Sequence, residues 1–161
     1  MSRITAEELR SLVRYEPETG FFYPLVLWHN KLWPNKPLGC LNKAGRRKLV
    51  ISYQQYYASH LAWLYMTGEW PDFEIDHRNR IKSDDRWENL RLATHQQNNQ
   101  NIGPQRNNTS GVPGVSRARG LWRAYIKVNY QQLQLGRFET FEDAVAARKA
   151  AELKHFGEFA P

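Results

Sequence analysis

Apolar and polar residues alternate with two different periods along this chain, and the switches between them set out its elements. Leu9, Leu12 and Val13 follow Thr5-Ala6-Glu7-Glu8 at helical spacing, which predicts a short helix from Thr5 to about Tyr15. Its first four residues form a capping box, in which Thr5 and Glu8 satisfy each other's exposed backbone donors. Pro17-Glu18-Thr19-Gly20 is a turn signal, and Phe21-Phe22-Tyr23 opens a strand-like aromatic run. Residues 29–45 hold Pro34, Pro37, Gly39 and Gly45 and read as loop. Lys48 to Tyr53 and then Tyr56-Tyr57 fit a β-hairpin turning near Ser52 to Gln55. A helix is expected over Ser59 to Met66, stopping at Gly68.

Farther on, Glu74-Ile75-Asp76-His77 looks like a strand end, and Leu90-Arg91-Leu92-Ala93 alternates apolar and polar as a second strand would. Thr94 can cap a helix running through Gln97 to Asn101. Together these make a β-β-α hairpin. Asn98 to Gly114 has the amide-, Gly- and Pro-rich composition of a linker. Beyond it Trp122, Ala124, Ile126 and Val128 alternate with Arg123, Tyr125, Lys127 and Asn129. Asn129-Tyr130-Gln131 can turn into a strand containing Gln132, Gln134 and Gly136, and an Ala-rich helix is expected over Glu142 to Phe156. The fold class is α+β: a first domain over 1–101, a linker over 102–112, and a small three-stranded antiparallel sheet with one helix over 113–161. No internal repeat is present.

Composition sharpens this only in part. The longest apolar run, Leu61 to Met66, is too short to span a bilayer, and Met1-Ser2-Arg3-Ile4 lacks a signal-peptide core. The expectation is a cytoplasmic protein, in the host cytoplasm if phage-encoded, acting as a monomer or weak homodimer. The single cysteine, Cys40, excludes multi-cysteine zinc cages and reads as a small buried residue. Net charge is +7, and its distribution is uneven. Residues 1–70 carry 9 basic and 5 acidic side chains, 71–102 carry 5 and 6, and 103–161 carry 9 and 5. Basic ends around a carboxylate-containing centre suit a polyanionic partner held against a metal site.

The centre carries the chemistry. Asn89 lies twelve residues after His77, and Asn98 nine after Asn89. Phosphodiester hydrolysis requires an activated water, an in-line phosphate, and neutralisation of the leaving 3′ oxygen. A histidine can take the proton from water. A divalent ion on hard oxygen donors such as the Asp76 carboxylate and the Asn98 amide can stabilise phosphate and leaving group. Asn89 is placed to hydrogen-bond backbone across the loop and hold His77 in register. Asp84-Asp85 reads as loop surface, with a second metal ligand as the alternative, His95 as solvated, with a phosphate-facing position as the alternative, and His29 and His155 as structural.

Asp76-His77, Asn89 in Asn-Leu-Arg-Leu, and Asn98 resemble the HNH (ββα-metal) endonuclease motif of phage homing and free-standing enzymes, and Leu61 to Pro71 is similar to the helix and turn that precede it. The resemblance implies His77 as general base, Asp76 and Asn98 as ligands of Mg²⁺ or alternatively Mn²⁺, and Asn89 as the loop-orienting residue. Relatives often carry His-Arg before Leu-Ala-Trp, where this chain has Ser59-His60. Between Val112 and Phe138 there are five basic residues and no acid. Gly114-Val115, Trp122 to Ile126, Leu135 to Phe138 and the Ala-rich helix resemble the ethylene-response-factor-like (APETALA-type) DNA-binding domain. That resemblance implies contacts to double-stranded DNA by Arg117, Arg123, Tyr125, Lys127, Gln134 and Arg137, and the basic stretch adds Arg119. Gln134 stands where plant members usually have Trp, so their target preference does not transfer. The reading is a site-preferring DNA endonuclease; its rivals are a non-catalytic DNA-binding regulator on the same scaffold and an RNA-binding protein.

Overall fold

The structure, a computed structural model, describes residues 3–27, 34–101, 103 and 107–160. His29 and part of the expected linker lie outside the described residues. The chain forms two compact units, Met1–Thr94 and His95–Pro161, each with small antiparallel sheets and helices in the α+β class. No helix among the described residues is long and apolar enough to cross a membrane.

In the first unit, α1 (Ala6–Leu12) starts at the expected capping box, with both reciprocal bonds made by Thr5 and Glu8. It ends earlier than its apolar spacing implied. Val13–Glu16 is a strand, β1, paired antiparallel with β2 (Phe21–Pro24) through the turn at 17–20. Val13 and Tyr15 are buried while Arg14 is exposed, so the period of two wins over the helical one once a turn follows. A second sheet runs β3 (Cys40–Leu41), β4 (Arg47–Ile51), β5 (Gln54–Tyr57). Its hairpin turns on Ser52 and Tyr53, both at positive φ. Cys40 is exposed, contrary to expectation, because β3 is a two-residue edge strand. Helix α2 (Ala58–Thr67) closes on Gly68 at φ 87, the left-handed position that a glycine adopts without Cβ strain.

Leu9, Phe22, Leu49, Ile51, Leu61 and Leu64 make one core from α1, both sheets and α2. Each contributes about 1.5–3 kcal/mol on burial. Ile75 and Leu90 join that core and anchor the third sheet, β6 (Glu74–His77) paired with β7 (Leu90–Ala93).

The second unit begins with α3 (His95–Gln100), which the sequence had grouped with the first domain. Here α3 contacts the 3-10 turn Gly157–Phe159, and the Gln96 amide donates to Asn129 Oδ1 at 2.6 Å. The sheet order is β10 (Gln131–Phe138), β9 (Leu121–Val128), β8 (Val115–Ala118), and α4 (Phe141–Phe156) packs on it through Ala144 and Val145. Arg148 of α4 is buried between Glu152 and the Tyr125 carbonyl, with bonds of 2.7 Å to each.

Candidate active site

In β6 three consecutive residues, Ile75, Asp76 and His77, are buried, so both faces of the strand tip are covered. Two of the three are polar, and such groups remain inside only with partners. Asp76 lies opposite Arg91 across the β6–β7 ladder, and the Nε and a terminal nitrogen of Arg91 donate to Asp76 Oδ2 at 2.8 and 2.7 Å. Arg91 is itself only 6% exposed. The alternation of Leu90 to Ala93 marked the strand but gave Arg91 no role; in the structure it closes a buried ion pair.

His77 faces the other way. Its Nε2 lies 3.1 Å from Asp85 Oδ1, with side-chain exposures of 4% and 2%. An ionised carboxylate only accepts, so Nε2 carries the hydrogen in this contact. The other oxygen, Asp85 Oδ2, is buried without a hydrogen-bond partner. The expectation that Asp84-Asp85 is loop surface is therefore corrected. The reason is the β1–β2 hairpin, which packs on the loop. Tyr15 donates its hydroxyl to the Asp85 carbonyl at 2.6 Å, and Trp87 N–H donates to the Pro17 carbonyl at 3.0 Å. Gly20, at φ 74, comes so close that a Cβ there would lie 2.4 Å from the Asp85 carbonyl carbon. Burial, and secondarily the Asp85 carboxylate, push the Tyr15 phenol well above its ordinary range, so it remains a donor.

Asn89 spans the loop between the strands. Its Oδ1 accepts from Asn79 N–H at 2.9 Å and its Nδ2 donates to the Asp84 carbonyl at 2.7 Å, while Arg78 N–H donates to the Asn89 carbonyl at 2.9 Å. Asp84 receives two bonds of 2.8 Å from Arg86 and one from Asn79, and these hold its carboxyl down at about 2.

His60, in the first turn of α2, sets its ring edge-on to Tyr57 at 5.7 Å. Burial lowers its pKa, Arg46 and Arg3 add to the lowering, and Asp85 opposes them. Arg46 and Lys48 lie over the same Tyr57 ring at 5.8 and 5.2 Å. Sequence reasoning missed Arg91 and Asp85 as partners and left His60 without a role. The offset of Ser59-His60 from the expected His-Arg pair was the only available signal.

Asp76, His77 and Asn89 thus belong to the first unit, and Asn98 to the second, on α3. His95 and His155 are exposed. In the second unit, Arg123 opposes Arg137 and Ser116, and Tyr125 opposes Gln134 across the ladder, so these side chains share one face with Lys127. A bulge between Gln134 and Gly136 keeps Arg137 on that face. Arg117 does not join them. It opposes Trp122, on the face where Trp122 packs against Phe141, and its guanidinium lies 5.9 Å from the Trp122 ring. Arg119 sits in the β8–β9 turn at φ 53.

Among the described residues no group of three or more His, Cys, Asp or Glu side chains could hold a metal ion. The expected donors are different in kind, one carboxylate and one amide oxygen, which suit a hard, partly hydrated divalent cation.

Residues 56–100 match the HNH endonuclease family. Over 88 residues the chain is 33% identical to Protein 3.8 of Escherichia phage T7, covering 50% of this chain and 73% of that protein. No solved structure gives a significant match. The family match encloses the buried Asp76-His77 tip and the loop that Asn89 spans, and the T7 relative is covered over most of its length; the chain belongs to the family of Protein 3.8 and carries an HNH endonuclease domain.

Proposed function

We propose that this protein is a metal-dependent endonuclease that hydrolyses phosphodiester bonds in double-stranded DNA. The observation that carries this reading is the buried tip of β6, where consecutive Asp76 and His77 are each held by a partner, Arg91 and Asp85, within the HNH match. His77 takes the proton from the attacking water. Asn89 keeps His77 in place by tying the loop after β6 to the residues before β7. Asp76 through its carboxylate and Asn98 through its amide oxygen would hold Mg²⁺, or Mn²⁺ in its place. When bound, such an ion supplies charge neutralisation at the phosphate and the leaving 3′ oxygen. Arg91 holds the Asp76 carboxylate in one orientation.

The sheet of the second unit gives the enzyme its site preference. Arg123, Tyr125, Lys127, Gln134 and Arg137 contact DNA from one face, in the manner of an ethylene-response-factor-like domain, with Arg119 at the adjacent turn. Arg117 reaches phosphate from the opposite side of β8. Stacked cation–ring pairs, Arg123 with Tyr125 at 5.5 Å and Lys127 with Tyr130 at 6.0 Å, present charge on rigid platforms.

The test is His77→Gln, whose amide can still donate to Asp85. Plasmid nicking or cleavage in Mg²⁺ is expected to vanish while DNA affinity in EDTA stays within about twofold, since phosphate contacts elsewhere supply most of the affinity. Wild-type-like cutting by that variant would overturn the base assignment. DNA binding by the wild-type chain without cutting in any divalent metal would instead assign the non-catalytic regulator.

A further inference from the structure

We infer that Asp85 is a positioning residue that selects the tautomer and the orientation of His77; the inference builds on the nuclease reading, in which His77 is the base. Three observations lead to it. First, among the described residues His77 is the only hydrogen-bond partner of the Asp85 carboxylate: Oδ1 faces Nε2 at 3.1 Å and Oδ2 has no partner there. A carboxylate buried for structural reasons would be expected to use both oxygens, because leaving a buried charged acceptor unpaired is costly. Second, the main chain that carries this side chain is anchored from several directions. Tyr15 binds its carbonyl, Gly20 lies against its backbone, Trp87 N–H reaches Pro17, and Asn89 Nδ2 holds the carbonyl of the preceding Asp84. A surface loop needs none of these, whereas a side chain that must hold one atom at one distance needs them all.

Third, the contact has a chemical consequence. With the hydrogen fixed on Nε2, the neutral imidazole carries its lone pair on Nδ1, the ring nitrogen nearer its own backbone. The opposite tautomer would set a lone pair on Nε2 against the lone pairs of Asp85 at hydrogen-bond distance, which is repulsive. Asp85 therefore decides which nitrogen accepts the proton of water. A carboxylate that orients a histidine base through its second nitrogen recurs on unrelated folds, and in the serine-protease case the amide replacement lowers turnover by about 10⁴-fold.

The full-length protein with ¹⁵N-labelled histidine, in EDTA without DNA and at mildly alkaline pH, gives a direct readout by long-range ¹H–¹⁵N correlation, with His77→Gln identifying the His77 signals. The Nε2–H form is expected to dominate in the wild type. In Asp85→Asn, whose amide can donate as well as accept, the preference is expected to fall by about tenfold. For the same variant, kcat for plasmid cleavage should drop by about 10²- to 10⁴-fold with KM changed less than about twofold. An Nδ1–H form in the wild type overturns the inference, as does an Asp85→Asn protein with unchanged tautomer and kcat. If Asp85→Asn fails to fold, the wild-type tautomer alone decides. A wild type that never cuts DNA but shows the tautomer preference, lost in Asp85→Asn, would sink the nuclease reading and leave the positioning role standing.

Discussion

Replacing Arg91 by Ala should be far more damaging than its place in a short two-stranded ribbon suggests. Asp76 and Arg91 are 4% and 6% exposed, and both guanidinium nitrogens converge on one carboxylate oxygen. Deleting the arginine removes the ion-pair partner of a buried carboxylate, a change that costs about 3–5 kcal/mol. Against a total of about 5–15 kcal/mol for a domain of this size, that is roughly a fifth of the stability or more. The Arg14–Glu16 pair provides the control. At 3.3 Å, with side chains 49% and 31% exposed and screened by water, its loss should leave stability almost unchanged. Urea unfolding followed through Trp63 and Trp87, whose rings pack at 5.1 Å beside α2, separates the two. With a slope near ~1.5 kcal/mol/M, Arg91→Ala should lower the midpoint by roughly 2–3 M and Arg14→Ala should barely move it. Equal shifts would refute the buried pair. If Asp76 also binds metal, its carboxylate no longer shares its charge with Arg91, and Mg²⁺ should raise the midpoint of Arg91→Ala more than that of the wild type.

Three further outcomes follow from the same geometry. Gly20→Ala places a Cβ 2.4 Å from Asp85 C and 2.5 Å from Arg86 N, both backbone atoms that cannot swing aside, at a φ of 74. It should destabilise by more than the ~1–3 kcal/mol of left-handed strain alone and reduce cleavage more than DNA affinity; a fully active variant would show that the hairpin does not fix the loop. His60 has its pKa depressed by burial, with Arg46 and Arg3 contributing, so the unfolded chain binds a proton there first. Its contribution is present above about pH 6.5 and is lost as pH falls toward the depressed value; His60→Gln should flatten the unfolding free energy over that window, and an unaltered slope counts against it. Arg123→Ala with Lys127→Ala should reduce the salt dependence of DNA binding by about 0.9 in slope per lost phosphate contact, read by anisotropy in EDTA, with no change if that sheet face does not meet DNA.

The local elements were legible because their causes lie within a few residues. The capping box at Thr5 and Glu8, the left-handed stop at Gly68 and the turn at Asn129-Tyr130 are each decided by the side chains or dihedrals of one short segment. The reactive candidates were legible for another reason: few residue types can do the chemistry, so Asp76-His77 stands out. Their partners were not. Tyr15 reaches Asp85 across 70 residues, and nothing in two adjacent aspartates says that Asp84 will meet Arg86 at the loop while Asp85 turns inward to a histidine. The part played by Arg91 was not legible either, because alternation by itself implies one wet face, and β6–β7 has none at its tip.

That enclosed tip also explains how so short a ribbon can hold a site. Consecutive strand residues point to opposite faces, and here each face supplies a partner: the guanidinium of Arg91 for the Asp76 carboxylate, and the carboxylate of Asp85 for the His77 N–H. A slip of β6 by one residue would turn Asp76 toward Asp85 and His77 toward Arg91, setting carboxylate against carboxylate and a potential cation against a cation. Two hydrophobic anchors, Ile75 and Leu90, would not forbid that slip on their own. The charge pairs do, and the residues that give His77 its setting are therefore the same ones that fix the register of the strand presenting it.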